Sequence, residues 1–562
     1  MNLNSESTAQ ANFVWGDVVA RTLHELGISM VFFSPGSRST PLVLALDRHP
    51  SIDCASVLDE RTAAFLALGY SRRTQKPAVI LCTSGSAVTN WFPAIAEASH
   101  SSVPLLFLSA DRPEELQNCA SGQTIDQVNL FGSFVRGFHQ IPLPDLDPTA
   151  IQSLRSALTQ AYFQSMDLNP GPVHLNFPFR EPFLPLKLPD PVELSPLITM
   201  APSKLDSDRA VDEISRLANQ FVKPLIIAGE HAPAAFILDW LSKYPTPVLC
   251  DSLSPLREYP LSTKILRYEN LLRDSSFAQQ AKPDLIIVLG PLPTSKTLRS
   301  WIDQSGAERL GIEPRGISVA PLTSTSHSFQ LEYSRLSLIE LPICGNEWVK
   351  LWSSAEKSVE KKLELAFSEQ SDFFEGKLVR LLSKNLPEHS YLQVSNSMPI
   401  RDLEWFWYAK EKKRKIFGNR GVNGIDGTLG TALGLAHLSD SPAFLLTGEL
   451  AFLHDSNALL FHAQFMGSLT VFIINNKGGG IFENLPVAGE PEFEKCFATP
   501  QECDFSLLCE AHGIEFICPS TWEEISGLIQ HPIATGVRVI EMKCDRKKDR
   551  ETRRRLLSLS PS

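Results

Sequence analysis

The sequence has no apolar run of the roughly 18 to 20 residues that a membrane-spanning helix needs, so a helical membrane protein is excluded. It has no surplus of positive charge: 52 Lys and Arg stand against 63 Asp and Glu, for a net charge of −11. Nucleic acid is therefore not expected as a main partner. Of ten cysteines, none forms a C-x-x-C pair, and the group from Cys496 to Cys518 lacks zinc-ligand spacing. They are expected to be small buried hydrophobes in a reducing compartment. The opening MNLNSESTAQAN has neither a basic start followed by an apolar stretch nor transit-peptide character, so a cytoplasmic location is expected. Neither G-x-x-x-x-G-K-[ST] nor G-x-G-x-x-G occurs, which removes the P-loop and the dinucleotide fingerprint.

What is present is alternation. Short apolar, β-branched runs (PAVILCT, VPLLFLSA, KPLIIAG, PDLIIVLG, PAFLLTG, LTVFIINN, VRVIEMK) are separated by amphipathic stretches along 562 residues. That pattern predicts α/β architecture, with parallel sheets covered by helices on both faces. Two breaks interrupt it. Residues 177–203 are too proline-rich for a helix or central strand, and residues 344–369 turn charged and helical. Three α/β domains are expected, at 1–190, 200–345 and 360–562. PAVILCTSGSAVTNWFPAIAEA at Pro77 and PAFLLTGELAFLHDSNALLFHA at Pro442 share a strand, a Thr-bearing glycine turn and a helix, which suggests two related outer domains around a different middle one.

The most specific stretch is TGELAFLHDSNALLFHAQFMGSLTVFIINNKGGGIF. One predicted strand ends at Gly448 and Glu449, the next at Asn475 and Asn476, and glycines 478 to 480 follow. Ends of parallel strands share the carboxyl edge where open α/β sheets bind ligands. A carboxylate from Glu449, an amide oxygen from Asn476 and the Gly478 carbonyl make an all-oxygen set suited to Mg²⁺. The GE-to-NN spacing resembles the thiamine diphosphate motif, GDG to NN, which anchors the cofactor's diphosphate through a divalent metal.

That resemblance requires an activating glutamate elsewhere, and LDERTAAFLALGY supplies Glu60 ahead of the TSGSAVTN turn. Together SPGSRSTPL, DER, TSGSAV, ADRPEEL, NRGVNGIDG and INNKGGGIF resemble the 2-succinyl-5-enolpyruvyl-6-hydroxy-3-cyclohexene-1-carboxylate synthase family of thiamine diphosphate enzymes, over nearly the whole chain. SPGSRSTPL is the discriminating element, because acetolactate synthases and pyruvate decarboxylases lack it.

The resemblance implies a pyrimidine-binding, a central and a diphosphate-binding domain, with thiamine diphosphate and Mg²⁺ or Mn²⁺ as cofactors. The implied reaction is decarboxylation of 2-oxoglutarate and Stetter-like 1,4-addition of the resulting acyl-anion equivalent to isochorismate, in menaquinone or phylloquinone biosynthesis. Glu60 would be catalytic, and Ile425 would wedge between the cofactor rings. Ser37, Arg38, Arg112, Gln123 and Lys296 would face isochorismate, whereas Ser397, Arg401 and Arg420 would hold 2-oxoglutarate. Ile481, Phe482 and Leu485 would wall the pocket. A homodimer or homotetramer is implied, because the family places the glutamate and the diphosphate site of one centre on different subunits.

Three positions depart from the family pattern: Glu449 stands where aspartate is usual, Thr297 where some relatives carry a second cation, and Gly122 where some carry an amide. Two rival readings are another thiamine diphosphate 2-oxo acid lyase or ligase of the acetolactate synthase type, and a degenerate cofactor-binding protein.

Overall fold

A computed structural model describes residues 3–197, 205, 207–291, 293–316, 326–408 and 412–561. They contain three six-stranded sheets. The first comprises β1 (Met30–Phe33), β2 (Asp53–Ser56), β3 (Ala78–Cys82), β4 (Leu105–Asp111), β5 (Gly137–Gln140) and β6 (Pro172–Pro178). The second comprises β7 (Pro224–Ala228), β8 (Val248–Cys250), β9 (Lys264–Ile265), β10 (Leu285–Leu289), β11 (Glu308–Ile312) and β12 (Ser326–Phe329). In the third are β13 (Tyr391–Val394), β14 (Lys415–Gly418), β15 (Ala443–Gly448), β16 (Ser468–Asn475), β17 (Glu515–Ile517) and β18 (Gly536–Lys543). The pairings of β3 with β4, β10 with β7 and β13 with β15 are parallel. β3, β4 and β10 are buried along their whole length, as strands covered on both faces must be.

Strand order explains the internal similarity. The first sheet runs β2-β1-β3-β4-β6-β5 and the third β14-β13-β15-β16-β18-β17, the same order with six strands in between. The Pro77 and Pro442 segments supply the equivalent strands β3 and β15. The second sheet, β12-β11-β10-β7-β8-β9, has the other doubly wound order, 3-2-1-4-5-6 when its strands are counted from β7.

Packing divides the chain into two compact units: Met1–Ser203 with Asn419–Asp440 and Leu453–Leu469, and Lys204–Gly418 with Ser441–Phe452 and Thr470–Ser562. In the first unit, helix Thr428–Ala436 lies against helix Glu60–Thr74. Glycine makes this approach possible. A Cβ on Gly69 would sit 2.0 Å from the Thr431 carbonyl oxygen, and one on Gly434 2.0 Å from that of Leu66.

The proline-rich stretch is expected to hold no central strand, but its first two residues close β6, which lies between β4 and β5; residues 179–197 form neither helix nor strand, and residues 198–203 lie outside the described residues. The charged stretch after Cys344 is helix Asn346–Ser368, which buries Trp348, Trp352, Ala355, Val359, Leu363 and Phe367 on one face. Two readings need correction. The basic run KKDRETRRRLL, expected from its interleaved acids to be a solvated terminal helix or frayed end, lies in helix Arg546–Leu557, which buries Asp549 and Arg553. The cysteines are not uniformly buried, because Cys119, Cys496 and Cys518 are exposed. Among the described residues no helix is long and apolar enough to cross a membrane.

Candidate active site

In the first unit the chain leaves β1 toward β2 on one side and leaves β3 toward β4 on the other, so the carboxyl ends of β1 and β3 form a topological switch point. The SPGSRS loop and the TSG turn meet there. Ser34 N–H donates to the Leu81 carbonyl at 2.9 Å, and a Cβ on Gly36 would fall 2.2 Å from that of Thr83. Ser37 is exposed, whereas Arg38 is buried. The Arg38 guanidinium donates to the Phe179 carbonyl (2.8 Å) and to Glu181 (3.1 Å), lies over the Phe183 ring, and leaves Nε without a partner. Burial, then the charge of Arg112, lowers its pKa. Two guanidinium groups close enough to repel make the place favourable to an anion.

Arg112, directly after β4, donates to Ser84 Oγ at 2.6 Å and to the Gly122 carbonyl at 3.0 Å. Ser84 Oγ donates to the Gln123 carbonyl (3.0 Å), and Gln123 Nε2 returns a bond to the Ser84 carbonyl (3.1 Å). Arg112, Gln123 and the glycine turn are thus one assembly. Below it, buried Gln127 accepts from Gly85 N–H (3.0 Å) and donates to Asn176 Oδ1 (2.8 Å), while Asn176 donates to Asp111 (2.7 Å).

Glu60 opens helix Glu60–Thr74, which is capped by the Asp59 carboxylate, and is half-buried. Its Oε2 accepts from Asn90 Nδ2 at 3.2 Å. Arg420 and Ile425 sit in the loop after β14, both half-buried. Buried Glu97 fixes that loop by accepting from Gly421 N–H (3.0 Å) and Val422 N–H (2.9 Å), and Arg72 bridges it at 2.8 Å to Asn419 at 2.9 Å.

In the second unit, the ends of β13, β15 and β16 carry the other predicted residues. Ser397, just before helix Met398–Phe406, has φ +74 and ψ −127, a strained conformation for a residue with a side chain. Arg401 donates to the Ser397 carbonyl at 2.6 Å. Glu449 begins helix Glu449–His454 and is buried; Gly478 N–H donates to its Oε1 at 2.5 Å, and the N–H of Asn476 also lowers the carboxyl's pKa. The extra methylene of glutamate is accommodated by this return onto the glycine turn. Asn476 is buried and its Oδ1 has no partner. Gly478 has φ +133, and a Cβ there would lie 2.5 Å from the Ala498 carbonyl oxygen. Arg546 closes the turn from outside, donating to the Lys477 carbonyl (2.5 Å) and to Glu483 (2.9 Å).

The remaining wall residues are less enclosed. Phe482 packs on Phe497 and is half-buried like Ile481, whereas Leu485 is 47 % exposed. Lys296 is exposed at the start of helix Lys296–Ser305, beside Thr297, whose hydroxyl donates to Glu269 at 2.7 Å. Thr297 therefore braces the lysine's turn against a carboxylate in place of adding charge.

Burial pushes the Glu449 carboxyl up to about 7, against the pull of the Gly478 N–H, its own N–H and that of Asn476. A folded-state pKa above the usual carboxylate value contributes stability at low pH that is lost as pH rises through 7. A cation bound here must displace the proton when pH is below 7. Apparent Mn²⁺ affinity is expected to rise about tenfold from pH 6 to pH 8, measured by electron paramagnetic resonance, and Glu449→Gln to flatten that rise.

Sequence reasoning missed Glu97, Arg72, Gln127, Asn176, Glu269 and the Glu375–Arg553 pair. Only Glu97 left a local signal, as an acidic residue inside the apolar run PAIAEA.

Residues 14–130 match the family model described as thiamine pyrophosphate enzyme, N-terminal TPP binding domain, and residues 403–542 match its C-terminal TPP binding domain. The chain is 39% identical over 96% of its length to the 2-succinyl-5-enolpyruvyl-6-hydroxy-3-cyclohexene-1-carboxylate synthase of Trichodesmium erythraeum, covering 96% of that protein. The chain belongs to this synthase family. Among other members, the Trichormus variabilis synthase is 40% identical, with 97% of each chain covered. The Thermosynechococcus vestitus synthase is 38% identical, over 98% of this chain and 99% of its own. Benzoylformate decarboxylase from Polynucleobacter necessarius superimposes with a TM-score of 0.71, covering 95% of this chain and 98% of its own, at 16% identity; it shares the fold. The two regions that match these cofactor-binding models lie in the first and last parts of the chain.

Proposed function

We propose that the protein decarboxylates 2-oxoglutarate and joins the four-carbon acyl remainder to isochorismate, giving 2-succinyl-5-enolpyruvyl-6-hydroxy-3-cyclohexene-1-carboxylate and carbon dioxide. The observation that carries this reading is the oxygen-lined cup at the ends of β15 and β16, where buried Glu449 and the unpartnered Oδ1 of Asn476 flank a turn only glycine can make. These residues fit a hard divalent cation and the diphosphate it carries. Glu449, Asn476 and the Gly478 carbonyl would hold Mg²⁺ or Mn²⁺. Thiamine diphosphate bound there supplies the electron sink that makes loss of carbon dioxide from a 2-oxo acid feasible.

The chain's own residues do the rest. Glu60 would hold a proton for the cofactor's aminopyrimidine ring, and Ile425 would pack against the bound cofactor. Arg401 and Arg420, with Ser397, neutralise the carboxylates of 2-oxoglutarate; Ser37, Arg38, Arg112, Gln123 and Lys296 take those of isochorismate. Both substrates are dianions, so an acidic protein must gather its cations where they bind. Ile481, Phe482 and Leu485 exclude water. Assembly as a homodimer or homotetramer and a cytoplasmic location complete the reading.

A panel of 2-oxo acids with isochorismate as acceptor tests it. Pyruvate, which lacks the second carboxylate, leaves a guanidinium unpaired, so its kcat/KM is expected to fall at least about a hundredfold below that of 2-oxoglutarate. Equal use of pyruvate would favour an acetolactate synthase type of reaction.

A further inference from the structure

Asn476 can serve a cation only through its amide oxygen, and an amide has two ends that differ in chemistry alone. What decides which end faces the cup is its partner on the other side. Asn476 Nδ2 donates to Glu375 Oε1 at 2.7 Å, and Oδ1 is left buried without a partner. Glu375 is itself held. It opens helix Glu375–Asn385, where the helix dipole favours a negative charge, and its Oε2 accepts from Arg553 Nη2 at 3.0 Å. Arg553 is anchored in turn by two 2.7 Å bonds to Asp402. All four side chains are buried. Gly480 makes room for the amide, since a Cβ there would lie 2.8 Å from Asn476 Nδ2.

We propose that Glu375, oriented by Arg553, is a positioning residue that sets the amide of Asn476 with its oxygen toward the metal. The inference rests on the reading of Asn476 as a metal ligand. Its chemistry is one of donors and acceptors: an ionised carboxylate only accepts, and Arg553 only donates. A glutamine at 375 has one end of each kind. Its oxygen would turn to Arg553, its NH₂ would face Asn476, and the asparagine amide would have to invert and present NH₂ to the cation.

The test measures Mn²⁺ dissociation constants by electron paramagnetic resonance, with no substrate present, for the native chain, Asn476→Ala, Glu375→Gln and Glu375→Asp. Thermal unfolding identifies which variants are folded. Glu375→Gln should weaken Mn²⁺ binding at least about tenfold, the range seen when a residue supporting a metal ligand is removed. Glu375→Asp keeps the charge but withdraws the acceptor from Asn476, and a similar loss is expected; it also carries the test should the glutamine variant not fold. Native affinity in Glu375→Asp would mean that only charge at 375 matters and would overturn the proposal. So would native affinity in Glu375→Gln alongside a weakened Asn476→Ala. Native affinity in Asn476→Ala would instead remove the ligand reading on which the proposal stands.

Discussion

Glu60→Gln is expected to lower turnover by two to four orders of magnitude, about the contribution of a positioned proton-transfer group, while leaving cofactor binding within about threefold. The substitution is isosteric, and a glutamine oxygen can still accept from Asn90, so the half-buried start of helix Glu60–Thr74 keeps its shape. What is lost is a carboxyl able to hold and release a proton. Steady-state kinetics with 2-oxoglutarate and isochorismate, together with titration calorimetry of thiamine diphosphate in Mg²⁺, separate the two effects. Native turnover would remove Glu60 from the mechanism; lost binding would make it a structural residue.

Gly478→Ala is the second large effect, acting on binding. Two independent costs combine at this position. With φ at +133 the backbone occupies a region that residues with side chains avoid, at about 1–3 kcal/mol. The new methyl would also lie 2.5 Å from the Ala498 carbonyl oxygen, which already accepts from Gly479 N–H at 2.8 Å and cannot retreat freely; such overpacking costs about 1–3 kcal/mol more. The turn must shift, and with it the N–H that fixes the Glu449 carboxylate. Affinity for the Mg²⁺ complex of thiamine diphosphate is expected to fall by at least about thirtyfold, the smaller end of that combined cost. A change of less than about threefold by calorimetry would mean that the glycine turn does not form the diphosphate cradle.

The fold was legible because parallel strands buried on both faces must be continuously apolar: PAVILCT, VPLLFLSA and LTVFIINN could hardly be anything else. The likeness between the segments at Pro77 and Pro442 was legible for the same reason, since each is the third strand of a sheet with one shared order. The cup was legible because Glu449, Asn476 and Gly478 lie within 30 residues of one another and sit on neighbouring strand ends. The residues that hold these in place were not. Glu375 reaches Asn476 across 101 positions and Arg553 reaches Glu375 across 178, and no local pattern encodes such a pairing. Arg553 sits in KKDRETRRRLL, where a basic run hides one fully buried cation among more exposed ones. Helix Thr428–Ala436 groups with the first sheet's unit because Gly69 and Gly434 let two backbones touch, a contact that spacing along the chain does not announce.

The central claim is a thiamine diphosphate-dependent union of two dianions. Mass spectrometry of the native chain with isochorismate and 2-oxoglutarate labelled at C1, in the presence of thiamine diphosphate and Mg²⁺, tests it most directly. All of the label should leave as carbon dioxide, and an unlabelled adduct carrying the other four carbons of the oxo acid should appear only when both substrates, cofactor and metal are present. Release of no labelled carbon dioxide, or release with no adduct to isochorismate, would contradict the account.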